Sequence, residues 1–356
     1  MLPINFLVTI WKLILINRIL IIGTGSIGLK HFKWSKQFSP KSEIKKVGFR
    51  EEFSVSQIDS ESETFLKESL DFKPNLTIVA SPAPWHVETA QRFADVNSHI
   101  FIEKPISVSS YKVAKLIATC RERNLVLQVG YNLRFSKSLQ KFKEMIDSQV
   151  LGELQEIYCS AGQFLPDWRP DKDYRESVSA QKSLGGGVLL ELSHELDYLR
   201  WIFGEIKWVS GSLGNVGELG IDVEDTAEFK LGFDSKLSAH DLIADVHLDF
   251  IRKAPERYCK VVGSLGNLEW NGLTGEVILN SKKHELSRTF TFLDSGFSKT
   301  YMDEWESLIN CVTTGNKPLV TGEDGLRVVE IIEAIREANV TGAKVDVMYD
   351  KTLGDA

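Results

Sequence analysis

"RILIIGTGSIG", Arg18 to Gly28, runs an apolar stretch of strand character straight into glycines spaced Gly-x-Gly-x-x-Gly. Helix-compatible sequence follows from Ser26 to Phe38, so the glycines sit at a strand-to-helix turn. In that setting each glycine has its own task. Gly23 permits the turn, Gly25 lets a pyrophosphate approach the backbone, and Gly28 lets the helix pack closely on the strand. Ser26 and Ile27 open the helix, where unpaired N–H groups favour an anion. The stretch therefore reads as a dinucleotide-binding turn.

Working outward, Lys45–Phe49 reads as a weaker strand and Leu76–Ala80 as a strong one, followed by a helical stretch from Val87 to Val96. A strand ending at Lys104, a helix over Ser109–Asn124 and a strand over Val126–Val129 complete the alternation. Strands alternating with helices predict a doubly wound parallel sheet. Beyond Leu151 the character changes. In Thr226–Phe233, Ala227, Phe229, Leu231 and Phe233 share one face while Thr226, Glu228 and Lys230 share the other, as in an antiparallel strand with one covered face. Helices are expected at Leu189–Phe203, Thr300–Thr314 and Gly322–Ala338. The fold class is α/β: an N-terminal Rossmann-type domain over 18–130, then a C-terminal α/β domain with a large, mainly antiparallel sheet over 131–356.

Residues 1–17 form an apolar extension, split by Lys12 and lacking a signal-type cleavage site. They read as a dispensable or mis-started extension, a packed arm, or an anchor; no stable membrane anchor is expected, because a clean span of about 20 apolar residues is missing. The 356 residues carry a formal charge of −7 with acids and bases interspersed, which argues against a nucleic-acid partner. Four scattered cysteines and seven histidines show no metal-ligand spacing, so no metal is expected and a reducing, cytoplasmic setting is.

Chemistry gathers at strand ends. Arg50 lies 22 residues past Gly28, where an acid would hold the ribose of NAD; an arginine there suits the 2′-phosphate of NADP, unless the neighbouring acids Glu51 and Glu52 serve the ribose instead. The cofactor is read as NAD(P), leaning to NADP. Ser81, Pro82 and His86 lie at the carboxyl end of a parallel strand and are read as lining the nicotinamide half of the crevice. Glu103 and Lys104, before Pro105, end the next strand; Lys104 is either a donor aimed into the crevice or a surface partner of Glu103. After Gly185-Gly-Gly187, the residues Glu191, His194 and Asp197 recur every three positions on a predicted helix, and His194 is a candidate general base or a core histidine. Trp168, Arg169, Tyr174 and Arg175 form an aromatic and basic segment suited to stacking on a sugar or base and holding an anion, or to fixing a loop on the second sheet.

With the glycine turn, Glu103-Lys-Pro105 and "GGGVLLELSHELDYLRWIFG", the chain resembles the Gfo/Idh/MocA oxidoreductase family over about residues 18 to 347. "SPAPWH" at Ser81–His86 and "GYNLRF" at Gly130–Phe135 support the likeness. The resemblance implies hydride transfer between NAD(P) and a hydroxyl-bearing carbon of a sugar, polyol or nucleotide-linked sugar. It implies that Lys104 polarises the reacting oxygen and His194 exchanges its proton, with Asn132 and Arg134 beside the substrate at the domain junction and a homodimer or homotetramer. Many members carry an aspartate four residues before the histidine, where this chain has Leu190; Glu191 is three before. Two other activities fit the same architecture, an NAD-dependent glycoside hydrolase and a non-catalytic dinucleotide sensor.

Overall fold

The computed structural model describes residues 16–49, 60–168, 170–238, 240–281, 286–292 and 297–352. Arg50, Arg169 and all of the apolar extension but its last two residues lie outside that set.

The first half alternates as its periodicity predicts: β1 (Arg18–Ile22), α1 (Ser26–Phe38), β2 (Glu43–Val47), α2 (Ser60–Asp71), β3 (Leu76–Val79), α3 (His86–Asp95), β4 (His99–Ile102), α4 (Val113–Glu122) and β5 (Leu127–Val129). The strands form one parallel sheet in the order β2-β1-β3-β4-β5. Alternation decides the faces. Ile19 and Ile21 join Trp34 of α1 on one side, while Leu20 and Ile22 join Val87, Ala90 and Phe93 of α3 on the other. The edge strand β2 lies two residues earlier than its sequence suggests, because its register is set by pairing with β1 from Arg18↔Glu43 to Ile22↔Val47.

The second half contains α5 (Lys137–Asp147), β6 (Leu154–Gly162), α6 (Val188–Glu191), α7 (His194–Phe203), β7 (Glu205–Gly214), β8 (Thr226–Asp234), β9 (Leu242–Asp249), β10 (Glu256–Gly263), β11 (Gly266–Asn271), β12 (Glu276–Ser281) and β13 (Leu286–Thr291). It closes with α8 (Phe297–Thr314), α9 (Gly322–Thr341) and the short β14 (Val345–Asp346). Its nine-stranded sheet is antiparallel throughout except for the parallel β6–β9 pair. Ala227, Phe229, Leu231 and Phe233 of β8 are buried, while Glu228 and Lys230 on the other face are exposed.

Two features depart from the linear reading. The helix expected from Leu189 to Phe203 is broken at Leu192 and Ser193, so α6 and α7 are separate. And α8 returns to the parallel sheet, where Trp305, Leu308 and Val312 pack with Ile19, Ile21, Leu76 and Phe101.

Candidate active site

The three glycines do three different things. Gly23 has φ +116°, and a Cβ there would stand 2.2 Å from the Ala80 carbonyl oxygen. A Cβ on Gly28 would meet the Gly23 carbonyl oxygen at 2.1 Å, so helix and turn touch backbone to backbone. Around Gly25, by contrast, a Cβ meets nothing within 4 Å. Gly25 is also the N-cap of α1, with no side chain capping the first turn and no acid in it. Unsatisfied N–H groups beside open space form a cradle for an anion.

That cradle opens into a cleft of about 700 Å³ between the two sheets. Gly23, Gly25, Ser26 and Ile27 line it together with Ser81, Pro82 and His86, with Glu103 and Lys104, and with Trp168, Glu191, His194 and Arg257 from the second half of the chain. Gly28 lies behind this wall, in the helix–turn contact just described.

Lys104 follows β4, and its Nζ donates to the Glu191 backbone carbonyl at 2.6 Å while standing 3.7 Å from Glu191 Oε2. Glu103, its chain neighbour, turns instead to His31, whose Nε2 lies 2.7 Å from Glu103 Oε1. The proposed surface pair of Lys104 with Glu103 is thus replaced by two separate partnerships.

Glu191 and His194 are brought together by a turn rather than a helix face. Close glycine packing sets the entry to α6: a Cβ on Gly186 would stand 2.4 Å from the Val178 carbonyl oxygen, and one on Gly187, at φ +107°, 2.4 Å from Glu224 Oε1. Glu224 Oε1 accepts from the Leu189 N–H at the start of α6. His194 opens α7 and is 8% exposed, its ring edge-on to Tyr131 at 5.4 Å. Burial, and then the cations Lys104 and Arg257, hold its pKa well below the ordinary histidine value. The imidazole is accordingly neutral at physiological pH, the form that takes a proton.

Several residues singled out from sequence sit elsewhere. Asp197 faces away from His194 into a bidentate pair with Arg134, at 2.7 and 3.0 Å. Arg134 also reaches Asp324 at 3.1 Å; it is a buried strut between helices, because a guanidinium at 2% exposure requires carboxylates around it. Asn132 is likewise buried and donates to Thr300 Oγ1. Tyr174 donates its hydroxyl to the Leu219 carbonyl, and Arg175 pairs with Asp173 in solvent, so neither lines the cleft. His86 does line it, but both ring nitrogens face backbone carbonyls, of Pro105 at 2.9 Å and Ser81 at 2.6 Å. Burial lowers its pKa, and its ring ties the start of α3 to the loop after Lys104.

Arg257 was missed by sequence reasoning. It shares a face of β10 with buried Cys259 and Val261, and a lone arginine on an apolar strand face is the signal that could have found it. It pairs at 2.8 Å with Glu195, the residue after His194. Among the described residues, no group of three or more His, Cys, Asp or Glu could hold a metal, and no helix is long and apolar enough to cross a membrane.

A dinucleotide cradle, a lysine and a neutral histidine on one cleft are what a nicotinamide-dependent oxidoreductase would need. The match to family models agrees: residues 17–131 fit the oxidoreductase family's NAD-binding Rossmann fold and residues 143–347 its C-terminal alpha/beta domain. The chain belongs to the Gfo/Idh/MocA oxidoreductase family. It is 26% identical to a myo-inositol 2-dehydrogenase of Thermotoga maritima, over 86% of this chain and 92% of the relative. It is 25% identical to a D-xylose 1-dehydrogenase (NADP(+)) of Haloferax volcanii, over 92% and 98%. In fold it resembles levoglucosan dehydrogenase in complex with NADH, with a TM-score of 0.76 at 19% identity over 94% of this chain and all of that one (100%). It also resembles the WlbA dehydrogenase from Bordetella pertussis in complex with NADH and UDP-GlcNAcA, with a TM-score of 0.72 at 18% identity over 94% and 99%.

Proposed function

We propose that the protein transfers a hydride between NAD(P) and a hydroxyl-bearing carbon of a sugar, polyol or nucleotide-linked sugar, with Lys104 and His194 as its catalytic residues. The observation carrying this reading is that Lys104, from the end of β4, and His194, from the start of α7, line one cleft with the uncapped start of α1. Gly23, Gly25, Ser26 and Ile27 would hold the pyrophosphate, and Ser81, Pro82 and Glu103 the nicotinamide end. When bound, the nicotinamide supplies the hydride acceptor or donor. His194 takes the hydroxyl proton as a neutral base, and Lys104 stabilises the negative charge that develops on the oxygen. Glu191 holds Lys104 from the second half of the chain, and Trp168 lines the cleft where the sugar would sit.

The relatives' names support carbohydrate as substrate and are divided over the cofactor. A modest preference for NADP rests on Arg50; calorimetry of Arg50→Asp should show a shift toward NAD, and wild-type NAD binding at least as tight as NADP binding would refute that assignment. We place the protein in the cytoplasm, consistent with four free, buried thiols, and as a homodimer or homotetramer paired through the open face of the nine-stranded sheet.

The deciding experiment offers the purified protein myo-inositol, D-xylose, levoglucosan and nucleotide sugars with each cofactor, following reduced nicotinamide by absorbance. Stoichiometric reduction is expected. Product formation without net reduction would point to the hydrolase, and cofactor binding without any turnover to a sensor.

A further inference from the structure

The cleft wall carrying Lys104 is backed by an imidazole that the chemistry above does not use. His31, on α1 three residues past Gly28, is 0% exposed. Trp34 and Phe101 wall its ring edge-on, with centroids at 5.5 and 5.1 Å. The Trp305 indole N–H lies 2.9 Å from His31 Nδ1, and an indole nitrogen can only donate. Nδ1 must therefore present its lone pair, which leaves the proton on Nε2. That N–H points at Glu103 Oε1, 2.7 Å away. The second carboxylate oxygen, Oε2, accepts from the backbone N–H of Lys104 at 3.2 Å. On the other side the carboxylate is hemmed in by Gly130, where even a Cβ would stand 3.1 Å from Oε2.

One ring thus joins three elements: α1, whose start forms the anion cradle; β4, whose end leads to Lys104; and α8, which supplies Trp305. The same turn of α8 brings Tyr301 to the cleft, stacked on Trp34 at 4.9 Å. A lysine has a long, freely rotating stem, so the place of its ammonium depends on how firmly its backbone is held. Misplacement by about 1 Å can cost about a hundredfold in rate.

We propose that His31 is a positioning residue for Lys104: held by Trp305 as the Nε2–H tautomer, it pins the Glu103 carboxylate, which holds the Lys104 backbone so that the ammonium reaches Glu191. The proposal rests on the reading of Lys104 as the group at the reacting oxygen, and its test does not depend on knowing the substrate.

Lysines are reductively methylated with carbon-13 formaldehyde, and the Lys104 signal is assigned by its loss in Lys104→Arg. His31→Leu, which keeps volume but no polar atom, should move the Lys104 signal while NADH binding stays within about threefold of wild type. His31→Gln, whose amide N–H can reach Glu103, should restore the signal. With any polyol that wild type oxidises, His31→Leu should lower kcat about tenfold or more with KM within about threefold, and His31→Gln should recover most of the loss. An unchanged Lys104 signal in folded His31→Leu overturns the proposal, and so does equal impairment of the Leu and Gln variants, which would make the effect one of packing. If His31→Leu does not fold, Trp305→Phe removes the indole N–H that holds His31 Nδ1, along with part of the packing on Phe38; it should move the Lys104 signal, and no movement counts against the proposal equally. Wild type that oxidises no polyol would refute the functional reading, while the resonance arm still decides the role of His31.

Discussion

The Lys104 ammonium occupies, at 2.6 Å, the carbonyl of Glu191 that a continuous helix would give to the N–H of Glu195. Glu195 N–H turns instead to the Leu192 carbonyl at 3.2 Å, because α6 ends before α7 begins. The helix break thus creates the acceptor that draws the lysine across from the parallel sheet. Lys104→Met should lower kcat by about a hundredfold or more, since an oxyanion partner is lost, while NADH binding persists. A Lys104→Met enzyme turning over normally on its identified substrate would refute the mechanism.

The pH profile should report His194. Its pKa is lowered by burial first and then by Lys104 and Arg257, so the neutral, proton-accepting form persists below the ordinary value of 6.5. For the oxidation direction, kcat/KM should therefore hold its plateau down through pH 6.5 and fall only as acid protonates the ring. His194→Asn should cost about a hundredfold in kcat and remove that acid limb. An acid limb centred above the ordinary histidine value would contradict the assignment.

The glycine turn allows a sharp separation. Gly25→Ala places a methyl in open space, so the melting temperature should hardly change while NAD(P) affinity falls steeply. Gly28→Ala drives a Cβ against the Gly23 carbonyl and should lower stability as well as binding. Paired thermal melts and calorimetry check both; equal melting losses in the two variants would disprove the division.

Two arginines should behave in opposite ways. Arg134→Met leaves Asp197 buried and unpaired and should destabilise by about 3–5 kcal/mol in urea unfolding. Burial acts to raise the Asp324 carboxyl, yet Arg134 and Arg200 beside it hold its pKa at about 2, so that second carboxylate also suffers. Arg175→Ala, at an exposed pair with Asp173, should leave both the urea midpoint and the sugar KM unchanged. A raised KM in Arg175→Ala would return that residue to the site.

Assembly should depend on the open sheet face, where Tyr158 and Tyr258 are 37% and 36% exposed among paired charges such as Lys230–Asp245. Light scattering should give a multiple of the chain mass, reduced by Tyr158→Glu combined with Tyr258→Glu. A wild-type monomer at micromolar concentration would rule this out.

The sequence by itself determined what near neighbours decide: the strand-turn-helix of Arg18–Phe38, the alternating strand at Thr226–Asp234, and the strand end that presents Lys104. These follow from steric limits on glycine and from burial periodicities a few residues long. The tertiary structure alone decided which polar and charged groups meet: His31 with Glu103 across 72 positions, Trp305 with His31 across 274, and Arg134 with Asp197 across 63. It also broke the helix between Glu191 and His194, although helical spacing there is as regular as in any unbroken helix. The reason is that a buried charge or polar group must find its partner wherever the chain brings one, and no local pattern records how far away in sequence that partner lies.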